Sequence, residues 1–582
     1  MTGSRDSWDW LRDGVEALAF GNPVYNMMLG GRTLSALPVV PQDLWPGDPE
    51  RGSALLDGVF HFAGQTLTLE ASPMTEAFWQ PEGASDAWYA GLHAFHWLRD
   101  LRALGGDEAR RAARSLVYGW CYCHAVWHGD AWSPFLAGTR IANWVGLHDF
   151  YCASADESFR SCVFDSLGRQ TRHLRQVMPG DLQGTKLITA IKGLVFGALL
   201  LPNGKSCYAE ARRLLERELP HQILPDGGHV SRNPSAHLMV LRDLVDIRTA
   251  LRAAKIDPPA VLIQTIERMA PVLRFLRHGD GALALFNGGR EEEAALVDTV
   301  LTQADSRARP VRSLPDSKFE RLHGGRALVI FDAGAPPPTG ADRRAHAGTL
   351  SFEFGIAKER LVVNCGANPE IGNPWHQALA GTAAHSTVMI GDLDSSEIAA
   401  GGGLGRRPAP ITCERRETGD EITATASHDG YAAAFGLIHR RCLNLDPHGN
   451  ALSGEDILEP APGATGTASH PFAVRFHLHP LVQARVEEGI DGPTVLMLLP
   501  GGAIWRFTAE GAYVELGESI YCGTDAPPRP CFQITASGET GTSASGENGT
   551  SAGGETGPNA GGDSKPGPTS ITWAFTREQP SG

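Results

Sequence analysis

A chain of 582 residues is longer than one hydrophobic core organises, so two or more domains are expected. With 42% hydrophobic and 20% charged residues it has the composition of a soluble globular protein, and a net charge of −15 argues against nucleic acid as a partner, because phosphate binding needs a basic field. Ten cysteines include no C-x-x-C pair, and Cys121 and Cys123 form a C-x-C, not the C-x2-C of a structural zinc site. Buried thiols in a reducing compartment are expected.

The N-terminal stretch MTGSRDSWDWLRDG has no apolar core of a signal peptide, which predicts a cytoplasmic protein. The longest apolar run, GLVFGALLLP near residue 200, is too short to span a bilayer, so no membrane span is expected. The first half then reads as helix after helix. EARRAARSLVYGWCYCHAVW and YAEARRLLEREL are helical in period. Leu238, Leu241, Leu244, Val245 and Leu251 form one apolar stripe, and Leu262, Ile266, Met269, Leu273 and Leu276 form another at alternating spacings of four and three. Helices separated by Pro and Gly suit a helical array or toroid over residues 1–315.

The period changes near residue 320. TLSFEFGIAKERLVVNCG has a hairpin pattern, with Leu350, Phe352, Phe354 and Ile356 alternating and a charged turn before Leu361. ITATASHDG, GLIHRRCLNLD, FAVRFHLHP, TVLMLLP and AIWRFTAEG continue in short strands. An antiparallel β-sandwich over 316–582 is expected, an α+β multidomain chain overall. The Gly/Ser/Thr-rich segment at about 536–569 has almost no apolar residues and reads as a disordered insertion between two strands.

Four places carry candidate chemistry. In RRAHAGTLSFEF a regular strand would put His346 in phase with Leu350 and Phe352, at the strand's mouth; a hydrogen-bonded core histidine is the plain alternative. In GTAAHSTVMI, His385 reads as a strand residue facing the same way as Thr387 and Met389. Asn364 ends the hairpin between them. If the three strands neighbour one another, His346, Asn364 and His385 converge as ligands for a divalent metal such as zinc, with Asn the weak member because it brings no charge. RFHLHP alternates Arg475, His477 and His479 with apolar residues, which fits a solvated face or a cupin-like metal strand. DGGHVSRNPSAH presents His229, Arg232 and Asn233 on a loop between helices, where functional side chains often sit. Thirteen Trp add a further hint, because an exposed indole stacks on sugar rings, although most Trp is core.

The ordered set GTRIANW, LPDGGHVSRNP, LFNGG, AHAGTLSFEFG, RLVVNCG, GTAAHSTVMIGDLDSSE and SHDGY resembles the bacterial heparinase II/III-like family of polysaccharide lyases. The resemblance implies an α/α toroid followed by an antiparallel β-sandwich. It also implies β-elimination of a glycosaminoglycan-like acidic polysaccharide or oligosaccharide, a carbon–oxygen lyase activity. That chemistry neutralises the uronate carboxylate, removes the C5 proton and protonates the 4-O leaving oxygen. By position, His346 and His385 match the family's sandwich histidines, Asn364 stands where metal-binding members carry Asp, and Arg140, Asn143 and Trp144 match a substrate-contact word of the toroid cleft. No cofactor is required; a zinc-type metal is the option those ligands offer. Two departures stand out. Ala236 replaces the catalytic Tyr after the GGH loop, and Thr185 and Lys186 replace a G-N-H word. His229 or His237 would stand in for the Tyr, and Lys186 and Arg232 would hold the anionic substrate with Arg140. The alternative implied by the departures is a non-catalytic acidic-glycan-binding or assembly protein. Relatives working in the periplasm make that compartment the alternative to the cytoplasm.

Overall fold

The computed structural model describes residues 7–33, 36–309, 311–368, 373–409, 411–464, 468–489, 492–524, 526–541 and 567–578, with side chains from residue 14 onward. They form two compact units. The first takes in 1–230, 236–274 and 295–309, and the second 231–235, 275–294 and 310–582. The second unit thus begins earlier than the boundary expected at 315/316 and claims two short segments from the helical half. Those segments join it for polar reasons. Asn233 Nδ2 donates to the Asn287 carbonyl at 2.7 Å, and the Arg232 guanidinium ion-pairs with Asp332.

Among the described residues the first unit is helical apart from one small hairpin, Val59–Phe62 with Gln65–Thr68. The predicted stripes become the helices Gly106–Cys123, Gly204–Gln222, Pro234–Ala253 and Ala260–Phe275. Leu262, Ile266, Met269 and Leu273 are all buried, and Leu276 is buried just past its helix. Glycines allow the closest approach: a Cβ on Gly193 of helix Gly184–Ala198 would sit 2.3 Å from the Gly138 Cα of helix Pro134–Gly146. Any side chain there would push these two helices apart.

The second unit is built from two antiparallel sheets. The eight-stranded sheet runs Gln483–Gly489, Gly492–Leu498, Ile504–Glu510, Thr569–Arg577, Ala451–Pro460, Leu437–Leu445, Ile422–His428, Ile411–Glu417. The nine-stranded sheet runs Tyr513–Tyr521, Arg529–Glu539, Pro471–Leu478, Glu359–Val363, Phe352–Ile356, Ala327–Asp332, Phe319–Gly324, Ser313–Leu314, and Val388–Ile390 pairs with Pro471–Leu478. Side chains from both sheets share one core. Phe352 stacks on Trp573 at 5.5 Å and 3°, and Phe354 meets Trp505 edge-on at 5.4 Å. Such aromatic pairs add about 0.5–1.5 kcal/mol each beyond their burial. The predicted hairpin is present as Phe352–Ile356 and Glu359–Val363. Of the insertion expected at 536–569, residues 542–566 lie outside the described residues; the flanks are strand, through Glu539 and from Thr569.

Candidate functional site

His346 and His385 meet in the sheet unit, but neither is a strand residue. The strand after His346 starts only at Phe352, because Leu350 takes a left-handed backbone (φ 61°) that breaks the alternation. His385 follows the short helix Thr382–Ala384, and its strand is only Val388–Ile390. Hydrogen bonds fix the two loops to each other. Ala347 N–H donates to the Ala380 carbonyl, and the Thr382 and Ser395 hydroxyls both donate to the Ala347 carbonyl. Gly348 lets the His385 ring lie against the backbone, since a Cβ there would fall 2.5 Å from ring carbon Cδ2.

The bonds decide the tautomers. His385 Nδ1 lies 2.8 Å from the Gly381 carbonyl, which only accepts, so Nδ1 carries the proton and Nε2 is a bare acceptor. His346 Nδ1 lies 3.1 Å from that Nε2 and must donate to it. A neutral His346 therefore keeps an unprotonated Nε2. Across from this nitrogen stands Gly288 (φ 77°), whose Cβ would sit 3.5 Å from it and 2.7 Å from the Arg344 carbonyl. Glycine keeps a side chain away from that lone pair. Both rings are buried, His346 5% and His385 2% exposed. Burial, with His385 and His376 nearby, holds the His346 pKa well below the usual histidine value; burial likewise lowers His385 to about 4.

Two buried struts hold this pair. Asn364 accepts from Ser386 N–H at 3.0 Å and donates to the Leu285 carbonyl, while Glu353 accepts from His278, Leu285 N–H and Asn364 N–H. The second strut crosses the sandwich core. Arg441 Nη1 donates to the Ser386 and Leu350 carbonyls at 2.7 and 2.8 Å, and its Nε and Nη2 pair with both oxygens of Asp456. Asp456 also accepts from His439 and from the Trp573 indole. Burial opposes its charge, but Arg441 and His439 hold its carboxyl below the usual range.

These bonds correct the metal expectation. The Asn364 oxygen points at Ser386, and both ring nitrogens of His385 are engaged, so His346, Asn364 and His385 do not present a ligand set for a metal. Among the described residues no group of three or more His, Cys, Asp or Glu is placed to hold a metal ion. The cupin-like reading of RFHLHP meets the same difficulty: His477 is buried between Ser519 and the Ala383 carbonyl.

The cations also differ from expectation. Arg232 (φ 52°) is buried, paired with Asp332 and bonded to the Ser317 and Ala335 carbonyls, so its expected substrate role becomes a structural one. The RRAH word supplies what sequence reasoning passed over. Arg343 and Arg344 are exposed directly before His346, and no carboxylate lies within ion-pair distance of either among the described residues. Surrounding protein atoms desolvate the Arg344 guanidinium and, with the like charges of Arg343 and Arg290, lower its pKa. Trp375, 44% exposed, stands on the short helix Pro374–Ala380 that leads to Gly381. It offers the open indole face that composition alone had not located.

In the helical unit, Arg140 is 0% exposed and donates to Gln170 and to the His93 and Ala131 carbonyls, stacked 3.9 Å over Trp120. Asn143 is buried against the Ala94 carbonyl and Arg99, and Trp144 packs edge-on against Phe95 and Trp120. The R-x-x-N-W word is thus a packing element, which corrects the substrate-contact expectation for Arg140, Asn143 and Trp144. Lys186 is exposed, its ammonium 5.4 Å over the Phe135 ring. His229 belongs to the helical unit and is buried; burial and His237 lower its pKa to about 3, and burial lowers His237 to about 4.

These buried neutral imidazoles make acid stability a direct check. A folded pKa near 3–4 against 6.5 unfolded means the unfolded chain binds the extra protons. The stability is complete above about pH 6.5 and is lost as pH falls toward about 4. The thermal midpoint is expected to hold between about pH 8 and 7 and to drop steadily from about pH 6 to 5. A flat midpoint over the lower range would show these rings are not buried neutral.

An α/α helical unit, an antiparallel sandwich and a histidine pair on the sandwich loops define a polysaccharide-lyase-type fold. Residues 124–308 match the heparinase II/III N-terminus family and residues 306–574 match the heparinase II/III-like C-terminal family. The chain belongs to the heparinase II/III-like family. It is 31% identical over 528 residues to "FtsZ-localized protein C" of Caulobacter vibrioides (strain NA1000 / CB15N), covering 87% of this chain and 88% of the relative. In fold it matches heparinase III with a TM-score of 0.70 at 14% identity, covering 98% of this chain and 91% of the other. A heparan sulfate lyase HepC mutant from Pedobacter heparinus matches with a TM-score of 0.60 at 14% identity, covering 97% of this chain and 90% of the other.

Proposed function

We propose that this protein cleaves a uronic-acid-containing glycan by β-elimination, with His346 Nε2 as the base. The observation that carries the reading is the bond order Gly381 C=O, His385, His346, which leaves His346 Nε2 unprotonated beside Gly288. In the reaction His346 Nε2 takes the C5 proton. His385 Nε2, already accepting from His346 Nδ1, stabilises the imidazolium so formed, as a carboxylate does in a catalytic triad. The C5 electrons form the C4–C5 double bond, the C4–O4 bond breaks, and the His346 imidazolium returns its proton to O4 on the same face. Arg343 and Arg344 neutralise the uronate carboxylate, which makes the C5 proton removable. Trp375 stacks on a neighbouring sugar. No metal is assigned a step. The test is incubation with a panel of uronic-acid polymers while following the absorbance of the unsaturated uronate. Arg344→Gln is expected to raise KM about tenfold, the cost of about one charge-assisted contact of roughly 1.5 kcal/mol. Unchanged KM would remove the arginine from the substrate's path.

A second reading rests on the relative named for localisation with FtsZ. Here the chain is a cytoplasmic division-associated protein whose lyase-type site binds an acidic glycan or assembly partner without cleaving it. A fluorescent fusion gathered with FtsZ, together with glycan binding and no unsaturated product, would favour this reading.

A further inference from the structure

We infer that the sheet unit binds an extended, cationic segment of a protein partner, which adds as a further strand along the free edge of Tyr513–Tyr521. This surface uses none of the residues of the histidine pair.

Strand Tyr513–Tyr521 ends the nine-stranded sheet. It pairs with Arg529–Glu539 over nine consecutive residues without a bulge, so its ladder is regular. Among the described residues, 513–521 make backbone hydrogen bonds to that neighbour alone, and the far side of the strand is unpaired. Such an edge is a row of backbone donors and acceptors that another extended chain can complete. The opposite edge of the same sheet, Ser313–Leu314, is only two residues long and offers no such row. Proline, lysine or a bulge commonly blunts an edge, and the sequence YVELGESIY has none of them. Its charges are Glu515 and Glu518, both exposed.

Beside this edge lies a cleft of about 480 Å³. Val486, Glu488 and Pro493 line it from the strand pair Gln483–Gly489 and Gly492–Leu498 of the other sheet, and Tyr513, Glu515 and Leu516 line it from the edge strand. Val486 and Tyr513 are 43% and 62% exposed, which leaves apolar surface for a bound side chain. No Lys, Arg or His is among the lining residues. The cations on neighbouring strands are already used: Arg485 pairs with Glu487, and Arg506 with Glu487 and Glu578. Strand alternation also turns Arg485 and Glu487 to the face opposite Val486 and Glu488. An open backbone edge beside a partly apolar cleft whose only charges are carboxylates selects an extended chain of alternating cationic and apolar residues. A second copy of this chain fits poorly. Pairing two such edges would bring Glu515 and Glu518 of both copies onto one seam, between molecules that each carry a net charge of −15.

The experiment is fluorescence-anisotropy titration of labelled peptides with the full chain. One peptide alternates lysine and valine, one alternates glutamate and valine, and one is the lysine peptide with every second backbone amide N-methylated. The lysine peptide is expected to bind and the glutamate peptide not to bind. N-methylation keeps the charge and removes ladder donors, so it is expected to weaken binding about tenfold or more. Glu488→Lys and Glu515→Lys change exposed side chains and leave the packing intact, and each is expected to weaken binding about tenfold or more. No binding of the lysine peptide, equal binding of the glutamate or the N-methylated peptide, or affinity unchanged in either variant would overturn the inference. So would a dimer in sedimentation that the lysine peptide dissociates, because a second copy would then occupy the edge. Peptide binding is expected to persist in His346→Ala, which separates this surface from the proposed elimination.

Discussion

Replacing His346 by alanine is expected to lower kcat/KM for eliminative cleavage by about 10²–10⁴, the range a positioned general base contributes. His346→Ala removes the group proposed to take the C5 proton, while the proposed substrate contacts at Arg343, Arg344 and Trp375 stay. KM is therefore expected to move little and kcat to carry the loss. His385→Ala should cost less, because it removes the stabiliser of the imidazolium and leaves the base. The ordering His346 above His385 is part of the prediction. Equal losses would mean that His385, not His346, meets the substrate. Activity unchanged in His346→Ala would end the elimination mechanism proposed here. So would wild-type protein that binds uronic-acid polymers and releases no unsaturated product.

The second large effect is on stability. Asp456 and Arg441 lie directly opposite on neighbouring strands, both at 0% exposure, and no water reaches them to replace a lost partner. Asp456→Ala strands a buried guanidinium and is expected to destabilise the protein by about 3–5 kcal/mol. It also orphans the His439 and Trp573 donors. The double replacement of Asp456 and Arg441 by methionine should recover part of that loss, because no unpaired charge remains. It should not recover activity, since Arg441 is what holds the Ser386 carbonyl beside His385. Denaturant unfolding of the three variants measures the difference. A single substitution costing under about 1 kcal/mol would mean that the pair is not load-sharing in the core.

Much of the fold was legible because it follows from periodicity. The stripe from Leu262 to Leu273 became one buried helix face, and Phe352, Phe354 and Ile356 became the inner face of a strand. The site was legible only as a pair of histidines. Their geometry was not, because it depends on backbone events that side-chain period does not record: the left-handed Leu350 that ends the strand early, and the short helix before His385. The arginines misled for a different reason. In sequence Arg140 and Arg232 look like surface cations, and only the helix packing of one and the Asp332 pairing of the other reveal them as buried. Arg343 and Arg344 were in view in the RRAH word but could not be told from any charged turn. The partnership of His439, Arg441 and Asp456 joins residues on two strands, and nothing in one strand's pattern announces it.

The claim everything else depends on is that His346 stays neutral with its proton on Nδ1, leaving Nε2 bare. Long-range ¹H–¹⁵N correlation spectra of the imidazole side chains at neutral pH, assigned with His346→Gln and His385→Gln, read this directly. The account predicts an Nδ1-protonated His346 and an Nδ1-protonated His385, both unchanged as pH is lowered to about 5.5, below the ordinary histidine pKa near 6.5. A His346 protonated on Nε2, or one that becomes an imidazolium near pH 6.5, would contradict it.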